Sequence, residues 1–187
     1  MQRALVIGAS GGIGAAMAAA LGQQGAEVTG LSRSTDGLDV TDEASIARAL
    51  SALEPPYDLI FVATGALAPA GLGPEKSLRA LDAAQLAQQF ALNASGPILV
   101  LKHCLRLMPR DRRTVFAALS ARVGSIGDNG LGGWYSYRAS KAALNQLLHT
   151  AAIEVARSHR LAIVTALHPG TVDTGFGAEF HAGRETV

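Results

Sequence analysis

A glycine-rich turn near the start of the chain limits the folds that this sequence can adopt. Residues 8–14 read Gly-Ala-Ser-Gly-Gly-Ile-Gly, between a short apolar run, Arg3 to Ile7, and an Ala-rich helical stretch that ends near Gly25. Glycines permit a tight turn and a close approach of the backbone to a ligand, and a helix N-terminus stabilises negative charge. A strand, a glycine turn and a helix in this order predict the first unit of a nucleotide-binding domain.

The alternation of strand and helix continues along the chain. Five further strands are predicted, at Ala26 to Leu31, Leu38 to Val40, Leu59 to Ala63, Thr114 to Leu119 and Leu161 to Leu167. Helical patterns separate them, at residues 41–54, 81–92, 95–108 and 135–157. Such alternation implies right-handed crossovers and a parallel sheet covered on both faces. The sequence therefore predicts an α/β fold with a Rossmann-like, doubly wound parallel sheet in the strand order 3-2-1-4-5-6.

Length and composition fit one domain, residues 1–187. A chain that is 49% hydrophobic and 17% charged is not disordered. Mean hydropathy is +0.23, but the longest apolar stretches are far shorter than the roughly 20 residues that a bilayer requires. With 16 Lys and Arg against 15 Asp and Glu, the net charge of +1 lacks the basic excess of a nucleic-acid binder. We expect no nucleic-acid or membrane partner and, without an export signal, a cytoplasmic location.

The residues after the second predicted strand indicate which dinucleotide is bound. An acidic side chain there favours NAD through the ribose hydroxyls, whereas an arginine accommodates the 2′-phosphate of NADP. The chain has Ser32 and Arg33 at this point, which predicts NADP(H) in preference to NAD(H). Asp39, beside Val40 in the short third strand, is expected to accept a hydrogen bond from the adenine amino group.

Tyr137 and Lys141 are four residues apart at the start of the long predicted helix, so they share one face. A phenol with a pKa near 10 is a poor acid–base catalyst at neutral pH, and an adjacent ammonium group lowers that pKa by favouring phenolate. The spacing predicts a catalytic pair. A polar pair on the helix surface is the alternative interpretation.

Together these features resemble the short-chain dehydrogenase/reductase family, over essentially the whole chain. The motifs occur in the family's order, as Gly8-x-x-x-Gly12-x-Gly14, Asp39-Val40, Leu92-Asn93-Ala94-Ser95-Gly96, Tyr137-x-x-x-Lys141 and Pro169-Gly170-Thr171-Val172-Asp173-Thr174. Residues 120–129 and 132–145 are most similar to C-factor-like proteins and sniffer-type carbonyl reductases. The resemblance implies an NADP(H)-dependent oxidoreductase that reduces an aldehyde or ketone, or oxidises a secondary alcohol.

The resemblance also implies roles for single residues. Tyr137 would give a proton to the carbonyl, Lys141 would bind the nicotinamide ribose and tune Tyr137, and Asn93 would hold a water that links Lys141 to solvent. No metal is expected. The full cofactor-binding set is Gly8, Ser10, Gly12, Ile13, Gly14, Ser32, Arg33, Asp39, Val40, Ala63, Gly65, Tyr137, Lys141, Pro169, Gly170, Val172 and Thr174.

Two departures from the family's pattern bear on activity. The substrate-orienting serine of the family lies three residues before Gly124, where this chain has Ala121. We predict Ser120 as its replacement, with Ser125 as the alternative, although neighbouring strand residues point to opposite faces. The family's Asn-Asn-Ala-Gly stretch reads Val62-Ala63-Thr64-Gly65 here, which keeps only the glycine. Two further hypotheses therefore stay open: a non-catalytic NADP-binding regulatory or signalling protein, and an epimerase or dehydratase.

Against the family, 187 residues are few. We expect a truncated chain in which the C-terminal strand and the substrate lid of the family are missing. The family also implies assembly into a homodimer or homotetramer.

Overall fold

One parallel sheet organises the computed structural model of the chain, which describes residues 2–69, 73–170 and 172. Its strands are β1 (Arg3–Ile7), β2 (Glu27–Leu31), β3 (Leu59–Val62), β4 (Thr114–Leu119) and β5 (Ala162–Leu167). They lie in the order β2-β1-β3-β4-β5, and each neighbouring pair is parallel. This is the predicted Rossmann-like order without its third strand, and the predicted fold class is confirmed.

Helices connect the strands. They are α1 (Gly12–Gln23), α2 (Arg33–Asp36), α3 (Glu43–Ser51), α4 (Ala83–Phe90), α5 (Gly96–Cys104) and α6 (Tyr135–Val155). Side chains at the residue before the first turn cap three of them. The Ser32 hydroxyl accepts the Thr35 N–H, the Asp42 carboxylate accepts the Ala44 N–H and the Asp82 carboxylate accepts the Gln85 N–H. None of the helices in the described ranges is both long enough and apolar enough to cross a membrane.

Alternating side chains on the central strands explain why both faces of the sheet are covered. On β1, Leu5 and Ile7 enter the larger core cluster, and Ala4 and Val6 enter a second cluster. The larger cluster includes Leu144 and other residues of α5 and α6, whereas the second includes Leu21 and is packed by other residues of α1. A strand that is apolar at every position is therefore buried on both sides.

The predicted third strand, Leu38 to Val40, does not form. Leu38 and Val40 are buried in the larger cluster, so their apolar character was a correct signal for burial. The backbone N–H of Leu38 bonds to the Ser32 carbonyl, and that of Asp39 bonds to the Ser45 hydroxyl of α3. These N–H groups are paired with a loop and a helix, so the segment adds no strand to the sheet.

The two helices predicted at residues 81–92 and 95–108 are joined without a break. α4 and α5 are connected by one π-helical turn, Ala91–Ser95, which contains Asn93. Turns of this kind are rare and occur often at functional sites. Asn93 therefore lies inside a continuous, locally widened helix rather than between two separate helices.

Candidate active site

The glycine turn closes against the ends of two adjacent strands. Gly8 has a φ of +88°, in the left-handed region that favours glycine, and its N–H bonds to the Leu31 carbonyl. A Cβ on Gly14 would lie 2.1 Å from the Gly8 carbonyl oxygen, and one on Gly8 would lie 3.0 Å from the Ala63 carbonyl carbon. The turn therefore lies between the ends of β2 and β3 at the end of β1, where the strand order reverses and such sheets bind ligands.

An open cavity of about 1350 Å³ lies at the carboxyl ends of the strands. Its lining brings together segments that are far apart in sequence, from the glycine turn to the residues after β5. The predicted site residues in the lining are Gly12, Ile13, Ala63, Gly65, Ser120, Tyr137, Lys141, Pro169, Gly170 and Val172. Outside the lining, Gly8 lies against Ala63, Asn93 lies against Gly65, and Gly14 packs on Gly8. Thr174 lies outside the described residues.

Tyr137 and Lys141 are both buried on the first turns of α6. The Lys141 Nζ lies 5.9 Å from the centroid of the Tyr137 ring and donates a hydrogen bond to the Leu119 carbonyl at 2.8 Å. Burial raises the pKa of Tyr137 to about 12 and lowers the pKa of Lys141 to about 8. The expected lowering of the phenol pKa is therefore absent from this structure, because desolvation of the buried ring sets the direction of the shift.

The pKa of Lys141 has a consequence for stability. Lys141 loses its proton near pH 8 in the folded chain, against an ordinary pKa of 10.5, so the unfolded chain binds more protons between these values. The free energy of unfolding of the wild type should therefore rise across this window relative to Lys141→Met. Chemical denaturation at stepped pH measures the difference. Lys76→Met, at an exposed lysine, controls for the loss of one charge. If the difference in free energy of unfolding between the wild type and Lys141→Met does not change between pH 8 and 10.5, the pKa of Lys141 is not lowered.

Asn93 is fully buried, and both ends of its side-chain amide form hydrogen bonds. Its Oδ1 accepts the Ala66 N–H at 3.1 Å, and its Nδ2 donates to the Ala66 carbonyl at 2.9 Å and to the Gln89 side chain. A Cβ on Gly65 would lie 2.9 Å from the Asn93 Oδ1 and 3.5 Å from the Lys141 Nζ. Asn93 and Lys141 therefore both lie close to Gly65, in the loop after β3.

Neither predicted serine donates its hydroxyl into the cavity. Ser120 lines the cavity, but its Oγ donates a hydrogen bond to the Asn145 Oδ1 at 2.6 Å. Ala121 also lines the cavity, whereas Ser125 is exposed and its Oγ accepts the Asp128 N–H. Because a hydroxyl has one proton, Ser120 orients a substrate carbonyl only by giving up its bond to Asn145.

The segment after β2 is ordered by a small network of hydrogen bonds. Ser32 is buried and caps α2 by accepting the Thr35 N–H, and the Asp36 carboxylate accepts the Ser32 N–H and the Thr35 hydroxyl. These bonds hold the pKa of Asp36 below its ordinary value, with the Thr35 hydroxyl as the main cause. Arg33 begins α2 and is exposed to solvent.

The Asp39 carboxylate forms its hydrogen bonds within its own loop. Its Oδ1 accepts both the hydroxyl of Thr41 and the N–H of Thr41, and these bonds lower its pKa, with a smaller contribution from the charge of Arg33. The buried Val40 lies against α5, since a Cβ on Gly96 would be 2.8 Å from the Val40 carbonyl oxygen. Ser10 is exposed in the glycine turn.

Sequence reasoning missed two polar residues. Thr64 lines the cavity, and its Oγ1 is buried without a hydrogen-bond partner among the described residues. Gln89 is fully buried, donates to the Leu67 carbonyl at 2.7 Å and accepts from Asn93. The spacing of four between Gln89 and Asn93 was the signal for Gln89. Within the described ranges, no cluster of His, Cys, Asp or Glu could hold a metal ion.

Comparison with known proteins defines the class of this fold and cavity. A family model described as enoyl-(acyl carrier protein) reductase matches residues 32–186. The chain is 30% identical over 190 residues to cis-4-hydroxycyclohexanecarboxylate dehydrogenase of Sinomonas cyclohexanicum, covering 91% of this chain and 73% of that one. The chain belongs to the short-chain dehydrogenase/reductase family, a family of NAD(P)-dependent oxidoreductases, as the sequence motifs predicted.

Two other relatives extend this comparison. A short-chain dehydrogenase/reductase from Burkholderia multivorans, solved with bound NADP, superposes with a TM-score of 0.83 at 30% identity, over 94% of this chain and 82% of that one. The C-signal protein of Myxococcus xanthus is 34% identical over 97 residues, which are 52% of this chain and only 57% of that protein. The subgroup, the oligomeric state and the cellular compartment stay predictions.

Proposed function

We propose that the chain is an NADP(H)-dependent oxidoreductase that reduces a small aldehyde or ketone, or oxidises a secondary alcohol, with Tyr137 as the acid or base. One observation carries the proposal: Tyr137 and Lys141 line the same cavity as the glycine turn. A proton donor and a cradle for a dinucleotide therefore share one space, as the transfer of a hydride and a proton to one carbonyl group requires.

The residues present fit a dinucleotide. At Gly14 a side chain would collide with the turn, so the bare backbone and the N-terminus of α1 are left to face a pyrophosphate. The orphaned Thr64 Oγ1 needs a partner, which a ligand hydroxyl in the cavity would supply. Lys141 and the cavity-lining residues Pro169, Gly170 and Val172 would hold the nicotinamide end. When bound, the nicotinamide supplies the hydride.

Arg33 supports NADP(H) as the cofactor. It is exposed at the start of α2, directly after β2, where the adenosine ribose lies in this type of fold. The nearby acid, Asp36, is tied to the Ser32 N–H and the Thr35 hydroxyl and so does not compete for the ribose. The relative from Burkholderia multivorans, which holds NADP, is consistent with this assignment.

Arg33→Ala is expected to weaken NADPH binding by about 10- to 100-fold while leaving NADH binding unchanged, because one charge-assisted hydrogen bond contributes about 1.5–3 kcal/mol. Titration calorimetry with both dinucleotides measures the two dissociation constants. Arg48→Ala, at an exposed arginine of α3, is the matched control for charge. An unchanged ratio of the two constants would remove Arg33 from the cofactor site.

Tyr137 is suited to donate a proton in the reductive direction. With its pKa raised to about 12, the buried phenol keeps its proton at neutral pH. As the proton leaves for the carbonyl oxygen, the Lys141 ammonium group stabilises the phenolate that forms.

We assign to Asn93, in the π-helical turn, the role of holding a water through which Lys141 exchanges protons with solvent.

The hydrogen bond from Ser120 to Asn145 favours a second candidate function. With Ala121 at the usual serine position and the Ser120 proton donated to Asn145, the described cavity has no serine hydroxyl ready to orient a carbonyl. A protein of this kind could bind NADP(H) and act as a regulator or signal without turnover. The similarity to C-signal over half of the chain supports this candidate.

The test is NADPH consumption by the purified chain over a panel of aldehydes, ketones and quinones. Saturable turnover is expected for at least one class. Tight NADPH binding without turnover on any compound would favour the regulator, and a nicotinamide retained through purification without net oxidation would favour an epimerase or dehydratase. Failure of a cofactor-free preparation to bind NADPH would contradict both the reductase and the regulator.

A further inference from the structure

Glu75 is a buried acid that the proposed mechanism does not use. It lies between β3 and α4, it is 3% exposed, and it does not line the cavity. Its Oε2 accepts the N–H of Ser136 at 3.2 Å, while its Oε1 has no hydrogen-bond partner among the described residues. Burying a carboxylate with so few bonds is costly, so its location at the start of α6 needs a reason.

α6 cannot cap its own N-terminus. The residue before its first turn is Trp134, whose indole ring has no acceptor for a backbone N–H. Trp134 also has a φ of +52°, a left-handed conformation that is unfavourable for a large side chain and persists only when its surroundings hold it.

Glu75 supplies two acceptors for the N-terminus of α6 from a distant loop. Its backbone carbonyl accepts the Trp134 N–H, and its carboxylate accepts the Ser136 N–H, 61 positions away in sequence. The two bonds lie on either side of Tyr135. The Glu75 loop is itself fixed to α4, because the Gln85 side chain donates to the Gly73 carbonyl at 3.1 Å.

Both anchored residues lie against Tyr137. Ser136 precedes it directly, and the Trp134 ring packs edge-on against the Tyr137 ring, with centroids 6.2 Å apart and planes at 68°. The Tyr137 ring is therefore located by the same two peptide groups that Glu75 holds. A small displacement of a reacting group can cost about 100-fold in rate.

We propose that Glu75 is a positioning residue: as an acceptor provided by a separate loop, it caps α6 and holds the Trp134–Tyr137 pair in its reactive place. The role rests on the proposed function only in that Tyr137 is the proton donor. The acceptor atom, rather than the negative charge, is what the geometry requires.

The test compares Glu75→Met with Glu75→Gln. Met is close to Glu in length and suits a buried site but lacks the carbonyl acceptor, whereas Gln keeps the acceptor and loses the charge. Trp134 is the single tryptophan of the chain. Its fluorescence and its quenching by acrylamide therefore report on the position of the Trp134 ring without any substrate. Asp42→Ala, which removes the cap of α3, is the control for a loss of helix stability.

Glu75→Met is expected to increase quenching of Trp134 and to lower kcat by about 10- to 100-fold, with the NADPH dissociation constant unchanged. Glu75→Gln is expected to match the wild type in both, and Asp42→Ala is expected to leave quenching unchanged. The proposal is overturned if Trp134 is quenched in Glu75→Met to the same extent as in the wild type. It is also overturned if Glu75→Gln and Glu75→Met change the quenching of Trp134 equally. Absence of turnover in the wild type would count against the proposed function alone, since the quenching comparison stands without it.

Discussion

Tyr137→Phe is expected to lower kcat by about 10²- to 10⁴-fold, the usual contribution of a positioned general acid. The substitution removes only the phenolic oxygen and keeps the ring, so the edge-on contact with Trp134 is preserved. The NADPH dissociation constant is expected to stay the same, because Lys141 and the glycine turn are unchanged. Initial rates of NADPH oxidation with the best compound of the panel, together with fluorescence titration of NADPH, measure the two quantities.

Tyr135→Phe provides the matched control. Tyr135 lies two residues earlier on α6, it is 39% exposed, and it does not line the cavity. Its variant is expected to turn over substrate like the wild type. Equal losses in the two variants would point to a disturbance of α6 rather than to the acid, and full activity of Tyr137→Phe would remove Tyr137 from the mechanism.

The ionisation of the Tyr137 and Lys141 pair shows what a spacing of four cannot predict. The spacing placed both side chains on one face, and the structure has them together. Spacing says nothing about burial, and here burial favours the neutral form of each group. The partner of Lys141, the Leu119 carbonyl, comes from β4 and is invisible in the local sequence. With its pKa raised to about 12, Tyr137 keeps its proton at neutral pH and is suited to donate a proton rather than to take one.

The fold was predictable where the local pattern of apolar and glycine residues agrees with the contacts that those residues make in the folded chain. The run from Arg3 through the glycine turn into α1 has apolar, glycine and alanine residues at the positions that each element needs. At Leu38 to Val40 the pattern and the contacts disagree, because apolar side chains indicate burial but not which group pairs with the backbone. The junction at Asn93 was missed for a related reason, since a π-helical turn has no distinct sequence signal.

The supporting residues of the candidate site were beyond local prediction. Gln89 accepts a hydrogen bond from the Asn93 amide, Asn145 accepts one from the Ser120 hydroxyl, and Glu75 caps α6. The last two contacts join residues that are 25 and 61 positions apart, and only the packing of α4 and α6 on the sheet brings them together. A motif therefore predicts which groups react, while the contacts that orient those groups need the structure.

Gly14→Ala is expected to weaken NADPH binding by at least about tenfold, because a shifted turn loses one or more charge-assisted bonds to phosphate, each worth about 1.5–3 kcal/mol. The added Cβ would lie 2.1 Å from the Gly8 carbonyl oxygen and 2.8 Å from the Gly8 carbonyl carbon. Both atoms belong to the backbone, so no side chain can rotate away, and α1 must move off the turn. Overpacking of this kind also lowers the free energy of unfolding, by about 1–3 kcal/mol.

Gly22→Ala separates this clash from a general effect of alanine in α1. Gly22 is in the same helix, but a Cβ there would meet nothing within 4 Å. Alanine is the better helix former, so this variant is expected to gain up to about 1 kcal/mol in stability and to bind NADPH like the wild type. Calorimetric titration and chemical denaturation of both variants give the four values. Because the two substitutions are chemically identical and differ only in what the new methyl group meets, wild-type NADPH affinity in Gly14→Ala would show that the turn does not form the phosphate site.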